Sequence, residues 1–139
     1  MKRFLLLEAS ALFRESLALL LEWSAELEAL QAGSVEEARR ALGGSRNKIE
    51  LAIVNVDSLN SNAIELIEEL RGADPDVPVL ALTADRSLEG RVRALRVGAN
   101  DTFYLRAPVE ELVDAVRRLG GAPQTTTADK IRSSLRNPA

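Results

Sequence analysis

Short, mainly apolar runs, of which the second is interrupted by Glu28 and Gln31, alternate along the chain with longer segments in which apolar residues recur every three or four positions. The runs lie at 4–7, 27–32, 50–57, 77–83 and 101–105. Runs of this length predict buried strands, and the helical period between them predicts amphipathic helices. Such alternation predicts a doubly wound α/β fold, in which five parallel strands take the order 2-1-3-4-5 and five helices cover the two faces.

Capping residues mark where the predicted helices begin and end. Ser10 precedes a helix over about 11–23, and Ser87 precedes the fourth helix. Ser34 followed by Glu37 fits the capping box, in which each residue satisfies a backbone N–H of the other's turn. Gly98 predicts the end of the fourth helix, because a left-handed residue commonly follows the last turn.

Three further expectations concern loops and packing. Residues 58–62 are predicted to form a polar loop after the central strand. Leu88, Val92 and Leu95 share one face of the fourth helix and are expected to face the core. Trp23, at the end of the first helix, is expected to pack half-buried, with an anchor for a partner protein as the alternative.

The periodic pattern stops after Gly121. Residues 1–121 are therefore predicted to form one domain, which agrees with the usual domain size. Residues 122–139 are rich in Thr, Ser, Asn and Pro, with only a weak helical pattern at 129–135. This composition predicts a flexible C-terminal tail.

The amino-acid composition excludes several kinds of catalytic and binding site. The 139 residues include no Cys and no His, which excludes disulfides, thiolate metal sites and His-based nucleophile pairs. The net charge of −3 comes from mixed signs, so no basic field indicates nucleic-acid binding. No apolar run approaches the roughly 18 residues of a membrane span, and the run at 4–7 is too short for a signal peptide. A soluble cytoplasmic protein is expected.

One residue at the predicted sheet edge decides whether this edge is interpreted as a functional site. Asn55 ends the central apolar run, and in open α/β sheets the site lies beyond the carboxyl ends of the strands. An Asn at a strand end is also common without any functional role. The residue alone does not separate these two interpretations.

Five local motifs follow one another in an order that resembles a known family. They are Leu12–Leu17, Ala32–Ala38, Asp74–Ala84, Gly98–Asp101 and Ala107–Leu112. Together they make roughly residues 1–120 similar to the receiver domain of two-component response regulators. These are CheY-like domains with a flavodoxin-like fold. The resemblance is to receivers that precede helix-turn-helix output domains, the NarL/LuxR type.

The resemblance implies a phosphorylation site that has lost its main parts. In the family an acidic pair binds Mg²⁺, an Asp accepts the phosphoryl group, and a Thr and a Lys complete the site. These positions fall on Glu8 and Ala9, Asn55, Thr83 and Leu105. An amide is no nucleophile for phosphorus, and two of the three Mg²⁺ carboxylates are gone. The implied protein is a degenerate pseudo-receiver without catalytic residues, metal or cofactor.

Three alternatives remain open at this site. Shifting the last position by one residue would place Arg106 where the family has Lys, a cation but not an equivalent one. Asp57 could substitute as phosphoacceptor, although it falls where the family uses a backbone carbonyl as a Mg²⁺ ligand. Glu8 could instead pair with the amide of Asn55.

The resemblance also implies a contact surface on the fourth helix, fifth strand and fifth helix. The switch aromatic of the family falls on Thr102, with Phe103 next to it. Arg91 on the fourth helix and Glu110 and Arg117 on the fifth carry charges of both signs, which suits a homodimer or a protein partner. The same residues are also typical of an ordinary charged surface.

Three functions follow, in order of preference. The first is a phosphorylation-independent receiver that acts by protein–protein contact in signalling or transcription control, without direct nucleic-acid or membrane binding. The second is a working receiver phosphorylated on Asp57 by a histidine kinase. The third is a flavodoxin-like enzyme or cofactor binder, which the turn after the first strand disfavours because it lacks a Gly-rich phosphate cradle.

Overall fold

Five strands and five helices alternate along the chain in the computed structural model. It describes residues 2–43, 49–57, 60–96 and 98–121, with the backbone alone at 60–62 and 121. The predicted tail, 122–139, lies outside the described residues. The elements are β1 (Lys2–Leu7), α1 (Ala11–Ala25), β2 (Leu27–Ala32), α2 (Val35–Gly43), β3 (Leu51–Asn55), α3 (Asn60–Ala73), β4 (Val79–Thr83), α4 (Leu88–Arg96), β5 (Asp101–Tyr104) and α5 (Val109–Gly121).

The strands form one parallel sheet in the order β2-β1-β3-β4-β5, which confirms the predicted fold class and strand order. All five residues of β3 and of β4 are buried, as expected for strands covered on both faces. Because the strands are parallel, their carboxyl ends meet at one edge. Leu7 pairs with Val54, and Asn55 pairs with Leu82, so the residues that follow β1, β3 and β4 converge there.

The core has two layers, one on each side of the sheet. The first lies under α2, α3 and α4 and contains Leu5, Val54 and Ala81. The second lies under α1 and α5 and contains Phe4, Ile53 and Leu82. Successive strand residues enter opposite layers, because side chains alternate across a strand.

The predicted caps are present, with one change in the capping box. The Ser10 hydroxyl accepts a hydrogen bond from the Phe13 N–H at 3.3 Å, at the start of α1. The Ser34 hydroxyl accepts from the Glu37 N–H at 3.1 Å. The Glu37 carboxylate, however, accepts from the Gly33 N–H at 2.6 Å, one residue earlier than a standard capping box requires.

Among the boundaries that differ from the prediction, two have a clear physical reason. The polar loop predicted at 58–62 is wrong for 60–62, because α3 begins at Asn60. Asn and Ser are compatible with the first turn of a helix, so polarity alone did not mark a loop. The fourth strand begins at Val79, two residues later than predicted. The Val77 N–H bonds to the Asp74 carbonyl in a turn, and Pro78 has no N–H to give to a ladder.

Two packing predictions are also wrong. Leu88, Val92 and Leu95 are exposed, and the buried residue of α4 is Ala94, on the opposite face. A small residue there lets the helix approach the sheet closely. Trp23 is 87% exposed and does not pack half-buried.

Arg71, near the end of α3, binds polar groups of the loops at the amino edge of the sheet. Its guanidinium donates to the carbonyls of Gly98 at 2.8 Å and Pro75 at 3.0 Å, and to the side chain of Asn100. Gly98 has φ +115°, which confirms the predicted left-handed helix end. Burial lowers the pKa of Arg71 by desolvation, and its hydrogen bonds all go to neutral acceptors.

Candidate functional site

Three polar side chains are buried at the carboxyl edge of the sheet. Glu8 follows β1, Asn55 ends β3 and Thr83 ends β4, with 3%, 6% and 4% of their surfaces exposed. Within the described part of the chain these are the buried polar or charged residues. Burial of a polar group costs free energy unless it is hydrogen-bonded, so their partners define what this edge can do.

Glu8 and Asn55 form a pair that links β1 to β3. The Asn55 side-chain NH₂ group donates to Oε2 of Glu8. The other carboxylate oxygen of Glu8 accepts from the Ser10 N–H at 3.1 Å, and Oδ1 of Asn55 accepts from the Asp57 N–H at 2.9 Å. The sequence alternative of a Glu8–Asn55 pair is therefore present, and both ends of the amide are engaged.

Asp57 forms a second pair that links the end of β3 to β4. Its Oδ1 accepts from the Thr83 hydroxyl at 2.8 Å, and its Oδ2 accepts from the Ala84 N–H. The Thr83 oxygen also accepts from the Asp85 N–H at 3.0 Å. Asp57 itself is exposed, unlike Thr83. Thr83 thus ends β4, and its hydroxyl also holds the β4–α4 turn through the bond from the Asp85 N–H.

The turn between β4 and α4 carries a further acid. Oδ1 of Asp85 accepts from the Ser87 N–H at 2.8 Å, and the Ser87 hydroxyl accepts from the Gly90 N–H at 3.1 Å, which confirms the predicted cap of α4. Hydrogen bonds from the Ser87 backbone and hydroxyl lower the pKa of Asp85, with a smaller contribution from the charge of Arg93. A cavity of about 60 Å³ lies beside these groups, lined by Asp57, Thr83, Asp85, Arg93 and their apolar neighbours.

None of the remaining family positions lines this cavity. Ala9 is exposed and offers no oxygen ligand. The side chain of Leu105 is half-buried and packs on the core layer under α1 and α5. Arg106 is exposed. The cation that lines the small cavity is Arg93 on α4, which the sequence did not single out for this place.

An aromatic side chain does pair with Thr83, but it is Tyr104. The register of β4 and β5 pairs Thr83 with Tyr104 and Ala81 with Thr102. Phe103, between them, faces the opposite layer of the core. The Arg86 guanidinium lies 4.9 Å from the centre of the Tyr104 ring. Sequence analysis missed Tyr104, because alternation puts Thr102 and Tyr104 on the same face of β5 and only the register with β4 separates them.

The predicted contact residues do not all share one face. Arg91 and Glu110 are exposed on α4 and α5. Arg91 also lines a cavity of about 330 Å³ between the β4–α4 turn, β5 and α5, together with Tyr104. Arg117 instead reaches the end of α1, where its Nε donates to the Ser24 carbonyl at 3.0 Å. Arg117 therefore lies on the α1 side of α5.

Two absences hold for the part of the chain that the structure describes. No group of three or more Asp or Glu side chains there converges in a way that could hold a metal ion. None of its helices combines the length and the apolar character that crossing a membrane requires.

Solved receiver domains share this fold at low sequence identity. The non-phosphorylated HemR receiver domain from Leptospira biflexa superposes with a TM-score of 0.75 at 22% identity, covering 90% of this chain and 98% of that one. The response regulator TrrA from Thermotoga maritima, in complex with Mg²⁺ and BeF, has a TM-score of 0.72 at 22% identity, covering 86% and 99%. These likenesses support the fold alone.

Curated relatives extend the likeness to sequence. The virulence transcriptional regulatory protein PhoP of Salmonella typhimurium is 31% identical over 120 residues, covering 86% of this chain and 52% of PhoP. The transcriptional regulatory protein PrrA of Mycobacterium tuberculosis is 27% identical over 103 residues, covering 72% and 44%. The chain thus spans about half the length of the curated relatives it matches. The family model of the response regulator receiver domain matches residues 4–117, and the chain belongs to that family.

Proposed function

We propose that this receiver domain acts without phosphorylation and signals by binding a partner protein. The observation that carries the proposal is the state of Asn55, the residue at the phosphoacceptor position. Its amide donates to Glu8 and accepts from the Asp57 N–H, so both ends are used inside the protein. A neutral amide has no anionic oxygen to attack phosphorus, whereas a carboxylate does.

The groups at this edge also do not fit Mg²⁺, the metal that the family resemblance implies. Mg²⁺ prefers an octahedral set of oxygen ligands and gives up its water reluctantly. The two carboxylate oxygens of Glu8 already accept hydrogen bonds from Asn55 and from the Ser10 N–H. Ala9 supplies no oxygen. No step of the proposed function therefore depends on a metal ion.

Binding to a partner is supported by the outward face of α4. Leu88, Val92 and Leu95 form an exposed apolar stripe there, where a surface helix is normally polar. Arg91 on α4 and Glu110 on α5 are both exposed and carry opposite charges. Such a face suits a protein partner or a second copy of the chain. Because PhoP and PrrA are transcriptional regulatory proteins, transcription control is the favoured context.

A second candidate is phosphorylation on Asp57, favoured by its exposure and its contact with Thr83. The carboxylate would first have to leave two hydrogen-bond donors, the Thr83 hydroxyl and the Ala84 N–H. No Lys offsets the phosphoryl charge, because that position is Leu105. Phosphoryl transfer depends on positioning and charge stabilisation, so these losses count against Asp57.

The test is the intact mass of the native chain after incubation with acetyl phosphate and Mg²⁺. Asp57→Ala is compared under the same conditions. The double variant Ala9→Asp/Asn55→Asp, which restores two family carboxylates, shows whether this fold can still be phosphorylated in the assay. Beryllofluoride binding, followed by the shift in melting temperature, gives a second readout that does not depend on a labile acyl phosphate.

We expect the native chain to gain no phosphoryl group and no stability with beryllofluoride. A gain of one phosphoryl group that Asp57→Ala abolishes would overturn the proposal in favour of the second candidate. A gain that survives Asp57→Ala would overturn it as well, and would show an acceptor elsewhere in the chain.

A further inference from the structure

The outer face of α1 carries large apolar side chains that the fold does not cover. Leu12, Leu19 and Trp23 are 79%, 62% and 87% exposed. Their spacing of seven and four residues puts them on one face, opposite the buried Leu17 and Leu21. We call Leu12, Leu19 and Trp23 the outer stripe of α1. Contiguous exposed apolar residues of this size mark a contact surface more often than plain surface.

Acidic side chains follow one side of this outer stripe. Glu15 and Glu22 are exposed and lie, by helical spacing, next to it on the side of β2, and the exposed Glu26 directly follows the last residue of α1. Glu22 confirms that side, because its Oε1 accepts from the Ala29 N–H of β2 at 3.3 Å. The basic residue of α1, Arg14, is turned away and donates to the Glu8 carbonyl at 2.9 Å. The stripe therefore suits an apolar and basic occupant.

A segment of that chemistry occurs in the same chain. Residues 129–136, which lie outside the described residues, read Asp-Lys-Ile-Arg-Ser-Ser-Leu-Arg. Ile131 and Leu135 are four apart and would share one face of a helix, with Lys130, Arg132 and Arg136 around them. The exposed apolar stripe of α4 is flanked by Arg91, Arg93 and Arg96 against one acid, Glu89, so its net positive charge would repel this segment. A second copy of α1 would oppose acid to acid.

The residues that connect α5 to this segment are long enough for it to reach the outer stripe of α1. Gly121 ends α5 at the same end of the fold as the end of α1, since Arg117 bonds to the Ser24 carbonyl and the Lys2 ammonium bonds to the Gly120 carbonyl. The seven residues 122–128 span up to about 23 Å when extended. The 15 residues of α1 form a helix about 22 Å long. Residues 129–136 can therefore reach Trp23 and Leu19.

We infer that residues 129–136 dock on the outer stripe of α1 in the same molecule, with Ile131 and Leu135 against Leu19 and Trp23. The basic side chains of the segment then lie beside Glu15, Glu22 and Glu26. Docking covers the stripe in the resting chain. This inference does not depend on whether the receiver is phosphorylated.

Trp23 is the one Trp of the chain, so its fluorescence reports this contact directly. The emission maximum and acrylamide quenching are measured for the full native chain and for Ile131→Glu/Leu135→Glu. Thr126→Glu/Thr127→Glu is the matched control, because it adds the same charge to the connecting residues. Melting temperatures verify that all three chains are folded, and N-acetyltryptophanamide gives the limit of full exposure.

We expect Trp23 of the native chain and of the control to emit at shorter wavelength and to be quenched less than the free model compound. Ile131→Glu/Leu135→Glu should move both values to that limit, and high salt should weaken the native protection because exposed charges are screened. Equal, complete exposure in all three chains would overturn the inference. Protection that disappears on dilution would overturn it too, because the occupant would then be a second molecule.

Discussion

The two polar pairs at the carboxyl edge of the sheet differ in how much water reaches them. Both Glu8 and Asn55 are buried, whereas Asp57 is exposed and only its partner Thr83 is buried. A buried group that loses its partner bears a desolvation cost of about 1–3 kcal/mol, more when it is charged. An exposed group that loses its partner turns to water instead. We therefore expect the Glu8–Asn55 pair to hold the sheet edge in one arrangement, whereas Asp57 can exchange its hydrogen bonds with the protein for hydrogen bonds with water.

The buried pair also shows how the described part of the chain satisfies the Glu8 side chain without a salt bridge to it. Glu8 accepts from the Asn55 amide and from the Ser10 N–H, so neutral donors satisfy both of its oxygens. Asn55 is the appropriate partner because it can donate to Glu8 and accept from the Asp57 N–H at once. A carboxylate at position 55 could not donate. The identity of this residue therefore decides whether the edge needs a cation.

The largest expected effect is that of Asn55→Asp. It puts a second carboxylate against the buried Glu8, so we expect a loss of about 3 kcal/mol in the free energy of unfolding near neutral pH, as for a broken buried pair. Urea unfolding measures it. Gln31→Glu makes the same amide-to-carboxylate change at an exposed site, where an effect within about 0.5 kcal/mol is expected.

The pH dependence of Asn55→Asp provides a second check. Two facing carboxylates raise the pKa of one of them, so the folded variant binds a proton more tightly than the unfolded chain. Stability then rises as pH falls, and the difference from the native protein should shrink between about pH 7 and pH 5. A difference that stays constant over this range would contradict charge repulsion as the cause.

Thr83→Val is expected to have the next largest effect. The substitution keeps the shape but removes the hydroxyl that donates to Asp57 and accepts from the Asp85 N–H. Because Thr83 is buried, we expect a loss of about 1–2 kcal/mol. Hydrogen exchange of residues 84–96 should become faster, since the hydroxyl holds the β4–α4 turn. Thr83→Ser keeps the hydroxyl, so it should leave the exchange nearly unchanged.

Asp57→Asn is expected to cost less, about 0.5–1 kcal/mol, because Asp57 is exposed and water can replace its partners. The effect should largely disappear in the Thr83→Val background, since the shared hydrogen bond is already lost there. Urea unfolding of the two single variants and the double variant gives this coupling. Additive costs would mean that the Asp57–Thr83 contact does not contribute to stability.

The residues of these pairs could be predicted from the sequence, but most of their pairing could not. Strand runs and the order of motifs identified Glu8, Asn55 and Thr83, and the Glu8–Asn55 pair remained only one alternative. The Asp57–Thr83 bond joins residues 26 apart, so it depends on how the loops after β3 and β4 run. The strand register alone shows that Tyr104, not Thr102, neighbours Thr83.

The packing of α4 and of the end of α1 was predicted incorrectly for a related reason. Apolar spacing gives the face of a helix that could be buried, but not the face that fits the sheet. In α4 the small side chain of Ala94 faces the core, and Leu88, Val92 and Leu95 face outward. In α1 the helix is apolar on two sides, and the fold covers only the side with Leu17 and Leu21. Apolar residues left outside a core in this way are the reason why we propose a contact surface on each of these two helices.

The smallest expected effect is that of Arg39→Gln. This variant tests whether exposure decides how much a polar pair stabilises the fold. Arg39 on α2 and Glu69 on α3 form a bidentate contact at 2.7 and 3.1 Å, which is the strong geometry for an arginine–carboxylate pair. The hydrogen bond from Arg39 lowers the pKa of Glu69, so the stability it gives is present above the ordinary Glu pKa and is lost as pH falls. Both side chains are about half exposed, and such pairs contribute little. We expect an unchanged melting temperature at neutral pH. A decrease as large as that of Thr83→Val would mean that geometry, and not burial, decides which polar pair stabilises this fold.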